Sequence, residues 1–164
     1  MVSFWFDWLV YDPRGKNHMR SFSLGLLALL ALIGIAPTAA ASDSDILRQF
    51  GMLGRQAIDC AAPASTSNPH MTYSVSAQGK ITRTLKMQAD LDGTFPVRNL
   101  RLIRPDLLQF QETGRQSELT ITITKIAGKF RSWHSIRADG TVLIADGKFK
   151  SSGSPTLAFT MCRD

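Results

Sequence analysis

Two cysteines constrain this chain more than anything else in it. Cys60 and Cys162 are its only thiols, and they stand near the two ends of everything that follows an N-terminal apolar run. In an oxidising compartment such a pair becomes a bridge. The bridge would close a loop of about a hundred residues, which chain entropy values at about 4–5 kcal/mol. It would also force the first and last elements of the domain to lie side by side. The competing role, a catalytic or metal-binding thiol, needs a partner such as a C-x-x-C spacing or a nearby Cys–His pairing. The sequence around the two cysteines supplies neither.

The N-terminal run decides the compartment. Arg14, Lys16 and Arg20 precede an apolar stretch, Leu24 to Ala36, which ends at Pro37 and the small residues Thr38-Ala39-Ala40-Ala41. This is the layout of a secretory signal peptide over residues 1–41, with an A-x-A-like site cleaved after Ala41. The apolar core falls short of the roughly 20 residues a spanning helix needs. An uncleaved anchor is the rival reading; the signal reading implies an exported protein, periplasmic or secreted, with no stable membrane span after cleavage. The first Cys is Cys60, too far along to carry a lipid anchor. Upstream of Met19, Phe4, Trp5, Phe6, Trp8 and Tyr11 crowd a segment that also holds Asp7 and Asp12, whereas Met19 is followed at once by Arg20 and the apolar core. That contrast predicts translation from Met19.

Beyond position 41 the pattern is one of short strands. Ser42 to Asp45 precede Ile46, Leu47, Phe50 and Leu53, a spacing that predicts a short amphipathic helix over 42–54 with its cap and negative charge at the N-terminus. Residues 61–70, AAPASTSNPH, read as a loop. The period then becomes two. Thr120-Ile121-Thr122-Ile123-Thr124 alternates most cleanly, and Ile81, Leu85, Met87 and Ala89 share a face that Arg83 interrupts. Further strands are predicted at 55–60, 71–76, 94–103, 107–112, 130–138, 141–145 and 156–162. Asp92-Gly93, Asp139-Gly140 and Asp146-Gly147 read as tight hairpin turns that use positive φ. Eight or nine one-sided strands must close into a barrel or fold into a sandwich. The cysteine pair favours an all-β, antiparallel up-and-down meander closing as a barrel over 55–164, with the helix as a plug at one end.

Chemistry-bearing motifs are sparse. The histidines after position 41 are His70 and His134, without metal-ligand spacing, and no nucleophile elbow, phosphate loop or dinucleotide fingerprint occurs. Asp90-Leu91-Asp92-Gly93 starts like a calcium loop but lacks the later ligands and reads as a turn. No cofactor is expected. His134, alternating with Ser132 and Ile136, could point into the barrel. Of the net charge of +6, +5 resides in the domain, because residues 1–41 hold three basic and two acidic residues. Arg98, Arg101 and Arg104 crowd one strand region, and Arg131, Trp133 and Arg137 share a face of another. Such a mixture can bind phosphates or nucleic acid, but export leaves envelope lipid, polysaccharide or an acidic protein surface as partners rather than nucleic acid.

The stretch FGMLGRQAIDCAAPASTSNPH, Phe50 to His70, resembles the N-terminal pattern of small exported proteobacterial proteins of unknown function. In that pattern a Gly-x-Trp-like strand leads to an Asp/Asn-Cys, a Pro/Ser loop and Asn-Pro. The matching positions are Gly54, Asp59, Cys60, Pro63, Ser65, Asn68 and Pro69, with Cys162 like the family's terminal Cys. Gln56 stands where Trp is expected, which departs from lipocalin-like barrels as well. The resemblance implies export and a disulfide and brings no activity with it. The functional expectation is therefore a non-catalytic exported barrel that binds a small apolar or anionic envelope ligand, with Trp133, His134, Arg131 and Arg83 as its contact set. The alternative is a protein-interaction module, such as an inhibitor of an extracytoplasmic hydrolase, acting through the 61–70 loop. An enzyme is the third class, and it would need His134 to converge with a carboxylate in a cleft.

Overall fold

The structure, a computed structural model, describes residues 41–163. The expected signal peptide and the Met19 start lie outside the described residues. Helix α1 (Asp43–Phe50) opens with Ser42, whose Oγ accepts the Asp45 N–H at 3.2 Å. It closes where Gly51 takes the left-handed conformation at φ 81° and donates back to Leu47 and Arg48 carbonyls. The helix expected to reach residue 54 therefore stops at Phe50.

Ten strands follow: β1 (Gly54–Ala57), β2 (His70–Val75), β3 (Ile81–Lys86), β4 (Gly93–Arg104), β5 (Leu107–Thr113), β6 (Glu118–Ile126), β7 (Lys129–Arg137), β8 (Val142–Ala145), β9 (Lys148–Phe149) and β10 (Ala158–Met161). Consecutive strands from β1 to β9 pair antiparallel. The chain then skips back: β10 pairs with β1 on one side, Gln56 facing Met161, and with the first half of β7 on the other, Phe130 facing Phe159. This closes an eight-stranded antiparallel barrel from β1–β7 and β10. The second half of β7 pairs instead with β8, through Ser135 and Ile136. The segment expected at 141–145 is thus one arm of an added hairpin, and β9, too short to show an alternation, is its other arm.

The cysteines lie just beyond the two strands that close the barrel. Cys60 and Cys162 are bonded, with Cα atoms 5.4 Å apart, and the Cys162 N–H donates to the Arg55 carbonyl at 2.8 Å. The expected opening strand reached Cys60; the observed one ends at Ala57.

One end of the barrel is filled. Leu47 and Phe50 of α1 are buried in a cluster with Met52, Ile81, Val97, Leu100, Leu108 and Phe130. Two contacts pin the helix: Asp43 Oδ1 accepts the Leu100 N–H at 3.2 Å, and Lys125 Nζ donates to the Phe50 carbonyl at 3.4 Å. Leu100 turns inward because β4 is irregular there, with Asn99 at φ 55° and a register shift between Arg98 and Arg101.

The Asp-Gly turns divide. Asp146 (φ 52°) and Gly147 (φ 70°) form the two-residue turn between β8 and β9, and Gly140 (φ 86°) serves the β7–β8 turn. Gly93 does not take positive φ; it begins β4, and a Cβ there would stand 2.7 Å from the Phe95 ring. Asp92 instead holds the turn by accepting the N–H groups of Met87 and Gln88 at 2.7 and 3.1 Å. Among the described residues, no helix is long and apolar enough to cross a membrane.

Since the bridge spans 102 residues, Cys60→Ser or Cys162→Ser is expected to lower unfolding free energy by about 2–5 kcal/mol. Urea unfolding of the oxidised protein and the variants measures the difference.

Candidate functional site

The half of the barrel away from α1 is not filled by apolar side chains. On β5 the alternation Leu108, Phe110, Glu112 points all three inward, so Glu112 is 1% exposed. On β3 the same alternation sends Arg83 inward between Ile81 and Leu85. The two meet across β4 as a bidentate pair, Arg83 Nε to Glu112 Oε2 at 2.5 Å and Nη2 to Oε1 at 2.6 Å. Two neighbouring rings flank them. The guanidinium lies 5.1 Å from the centre of Phe95, and Tyr73 pairs with Arg83 across β2–β3. Burial pulls the guanidinium down, and the hydrogen bonds and charge of Glu112 more than offset that, leaving it above its ordinary value. Burial also pushes the Tyr73 phenol up, so it stays protonated throughout the ordinary pH range.

This pair separates two spaces. The outer one, at the mouth opposite α1, has a volume of about 290 Å³ and is lined by Arg83, Phe95, Glu112, Arg115, Arg137 and Leu143 among others. The inner one, about 190 Å³, lies among Tyr73, Phe110, Ile121, Ile123, Ser132 and Ser135, and it shares Arg83, Glu112 and Leu119 with the mouth. Below it remains only about 10 Å³ beside Gln56, Met71 and Phe130. Gln56 donates to the Met52 carbonyl at 3.0 Å while its Oε1 has no partner.

The mouth is basic. Arg115 is held by two turn carbonyls, those of Asp90 at 2.8 Å and Asp92 at 2.7 Å, with its guanidinium 5.9 Å from the Phe95 ring centre. Arg137 reaches Gln116 Oε1 at 3.4 Å. Three guanidinium groups thus face one carboxylate, Glu112, among the lining residues. Confinement between low-dielectric walls strengthens the resulting attraction for an anion. No protein-family model, no curated protein and no solved structure matches this chain.

Of the expected contact set, Arg83 lines the mouth and the inner chamber, and Arg131 lines the small space below them. A bulge decides the facing of β7: Thr122 faces His134 and Ile123 faces Ser132, so Trp133 is the extra residue. The bulge brings both Ser132 and Ser135 to the inner face, while Trp133 and His134 are not among the residues that line the mouth or the inner chamber. His134, expected to point inward with Ser132, instead sits 3.8 Å from Asp146, itself 79% exposed. Trp133 packs over Gly147, where an added Cβ would come within 3.2 Å of the indole. Arg98, Arg101 and Arg104 of β4 are surface groups, with Arg98 paired to Glu118 at 2.8 Å and Arg104 to Asp106 at 3.2 Å.

Sequence reading missed Glu112, Arg115, Tyr73 and the two serines. The usable signal was Glu112 itself, a carboxylate at an inward position of a period-two strand, matching the Arg83 that interrupts another. The 61–70 loop has its own support. Asn68 Nδ2 is within hydrogen-bond distance of the carbonyls of Asp59, Ala62 and Pro63 at 3.0, 3.3 and 3.1 Å, and its Oδ1 accepts the Asp59 N–H at 2.9 Å.

Glu112→Ala strands a buried guanidinium and is expected to cost about 3–5 kcal/mol, whereas Arg83→Met with Glu112→Leu is expected to recover most of that loss. Chemical denaturation of the three variants against the parent protein measures both.

Proposed function

We propose that this is an exported, non-catalytic β-barrel that binds a compact anionic ligand through the end opposite α1. One observation carries the reading: a mouth lined by three arginines adjoins an inner chamber, the two sharing Arg83, Glu112 and Leu119, in a barrel whose other end is packed with apolar side chains. An anion lies against Arg115 and Arg137, and the apolar part of the ligand lies below it. A long acyl chain does not suit this interior, since Phe50, Met52 and Phe130 occupy the depth it would need. The signal-like N-terminus and the resemblance to small exported proteobacterial proteins support a periplasmic or secreted site of action and an envelope ligand. The disulfide agrees with an oxidising compartment.

Arg137→Ala and Arg115→Ala are each expected to weaken binding of small carboxylates about tenfold, with affinity falling as salt rises, while Trp133→Ala and His134→Ala leave it unchanged. Calorimetry with a panel of aliphatic and aromatic carboxylates and phosphate esters reads this. A panel without any binder, together with a bare protein mass in native mass spectrometry of material purified from the exported compartment, would overturn the reading.

The Asn68 network favours a second reading, recognition of a protein partner by the 61–70 loop. A loop pre-ordered by one side chain and tied to the barrel by a disulfide loses little entropy on docking. Under that reading Asn68→Ala should weaken partner binding at least tenfold with the barrel's melting temperature nearly unchanged, as measured by surface plasmon resonance against extracytoplasmic hydrolases. Retained affinity in a loosened loop would count against it.

A further inference from the structure

The inner chamber carries information about the ligand that the basic mouth does not. Three hydroxyl-bearing residues line it, Tyr73, Ser132 and Ser135, and their hydroxyls bond no other group among the described residues. Tyr73 is 2% exposed and Ser135 5%. Arg83 adds a fourth donor: Nε and Nη2 serve Glu112, while Nη1 has only the Met71 thioether at 3.6 Å. These groups are not among the fully buried, unpartnered polar atoms of the described residues, where Gln56 Oε1 stands, so water in the chamber reaches them until a ligand group takes its place. Here they are gathered on one lining, and the serines reach it only because the β7 bulge reverses the facing of the strand between them. A strand without the bulge would bring one of these serines inward and turn the other out.

Charge and size narrow what such a lining accepts. Glu112 already balances Arg83, so the chamber favours a neutral donor or acceptor, a hydroxyl or a carbonyl, over a second anion. Phe110, Leu119, Ile121, Ile123 and Ile144 line the same chamber, and they suit an apolar body. The volume is about 190 Å³, and apolar cavities of roughly 150 Å³ accept a benzene ring. The closed floor at Gln56 excludes an extended chain.

We propose that the inner chamber binds a six-membered ring bearing a hydroxyl or carbonyl, so that the ligand class is a hydroxylated cyclic acid with its ring inside and its carboxylate at the arginine mouth. This deepens the anion-binding reading and rests on it. Tyr73, protonated because it is buried, donates to the ring oxygen or accepts from it, and the serines complete the set. The arginines hold the other end.

The test uses calorimetry on the mature chain with three probes of the same charge: 4-hydroxybenzoate, benzoate and octanoate. The expected order puts 4-hydroxybenzoate about tenfold tighter than benzoate, with octanoate weakest. Ser132→Ala with Ser135→Ala is expected to erase the tenfold preference while benzoate binding holds. In the ligand-free protein the same double variant is expected to melt no lower than the parent, because the lost hydroxyls hold no partner within the described residues. Tyr73→Phe is the independent second variant and should reduce the preference in the same direction. Equal affinity for 4-hydroxybenzoate and benzoate, or octanoate binding as tightly as either, overturns the ring assignment and leaves anion binding standing. Failure of all three probes to bind overturns both.

Discussion

Closure of the sheet is the constraint on which the rest of this structure depends. The four residues of β10 use both edges, one against β1 and the other against the first half of β7. Without that double pairing β1 and β7 would each present unsatisfied backbone groups, and the interior would open to water. The disulfide lies beside the closure, joining the residues that follow β1 and β10. It ties together two chain ends whose pairing is the most distant in sequence and therefore the most costly in loop entropy.

Because β10 covers only half of β7, the other half is left for the β8–β9 hairpin. That division makes the two ends of the barrel unlike. At one end α1 supplies Leu47 and Phe50, and the core is continuous. At the other, the turn after β5, the second half of β7 and β8 frame the mouth, and the interior there holds an ion pair and hydroxyls. A buried ion pair is weak support for stability, since desolvation offsets much of its attraction. The pair here stands at the boundary between mouth and inner chamber, lining both.

Much of the fold was legible because alternation is a local property. The faces of β5 and β6, the turns at Asp139-Gly140 and Asp146-Gly147, and the capped helix all follow from residues within a few positions of one another. The bridge was legible for a different reason: the two thiols are the only ones in the chain and have only each other. The site was far less legible. Arg83 looked like a defect in an apolar face, and its meaning depends on Glu112, 29 positions away. The outward placement of His134 depends on one bulge residue, Trp133, and single insertions of that kind leave no trace in the composition of a strand that already contains Ser, Trp, His and Arg. Gly93 shows the reverse error, since an Asp-Gly pair suggested positive φ where the glycine in fact makes room for the Phe95 ring.

The sequence by itself determined an all-β domain of short antiparallel strands, a helix capped at Ser42, and a covalent tie between Cys60 and Cys162. Each rests on backbone preference, local periodicity or the chemistry of a lone pair of thiols, and none needs knowledge of distant neighbours. Only the tertiary structure decided which strands form the wall, that β8 and β9 stand apart from it, which side chains of β7 face inward, and that Arg83, Glu112, Tyr73 and two serines share one interior. Those outcomes depend on register and on closure, which are set by hydrogen bonds between strands far apart in the chain. A shift of one residue in either moves a side chain from the inside of the barrel to the outside.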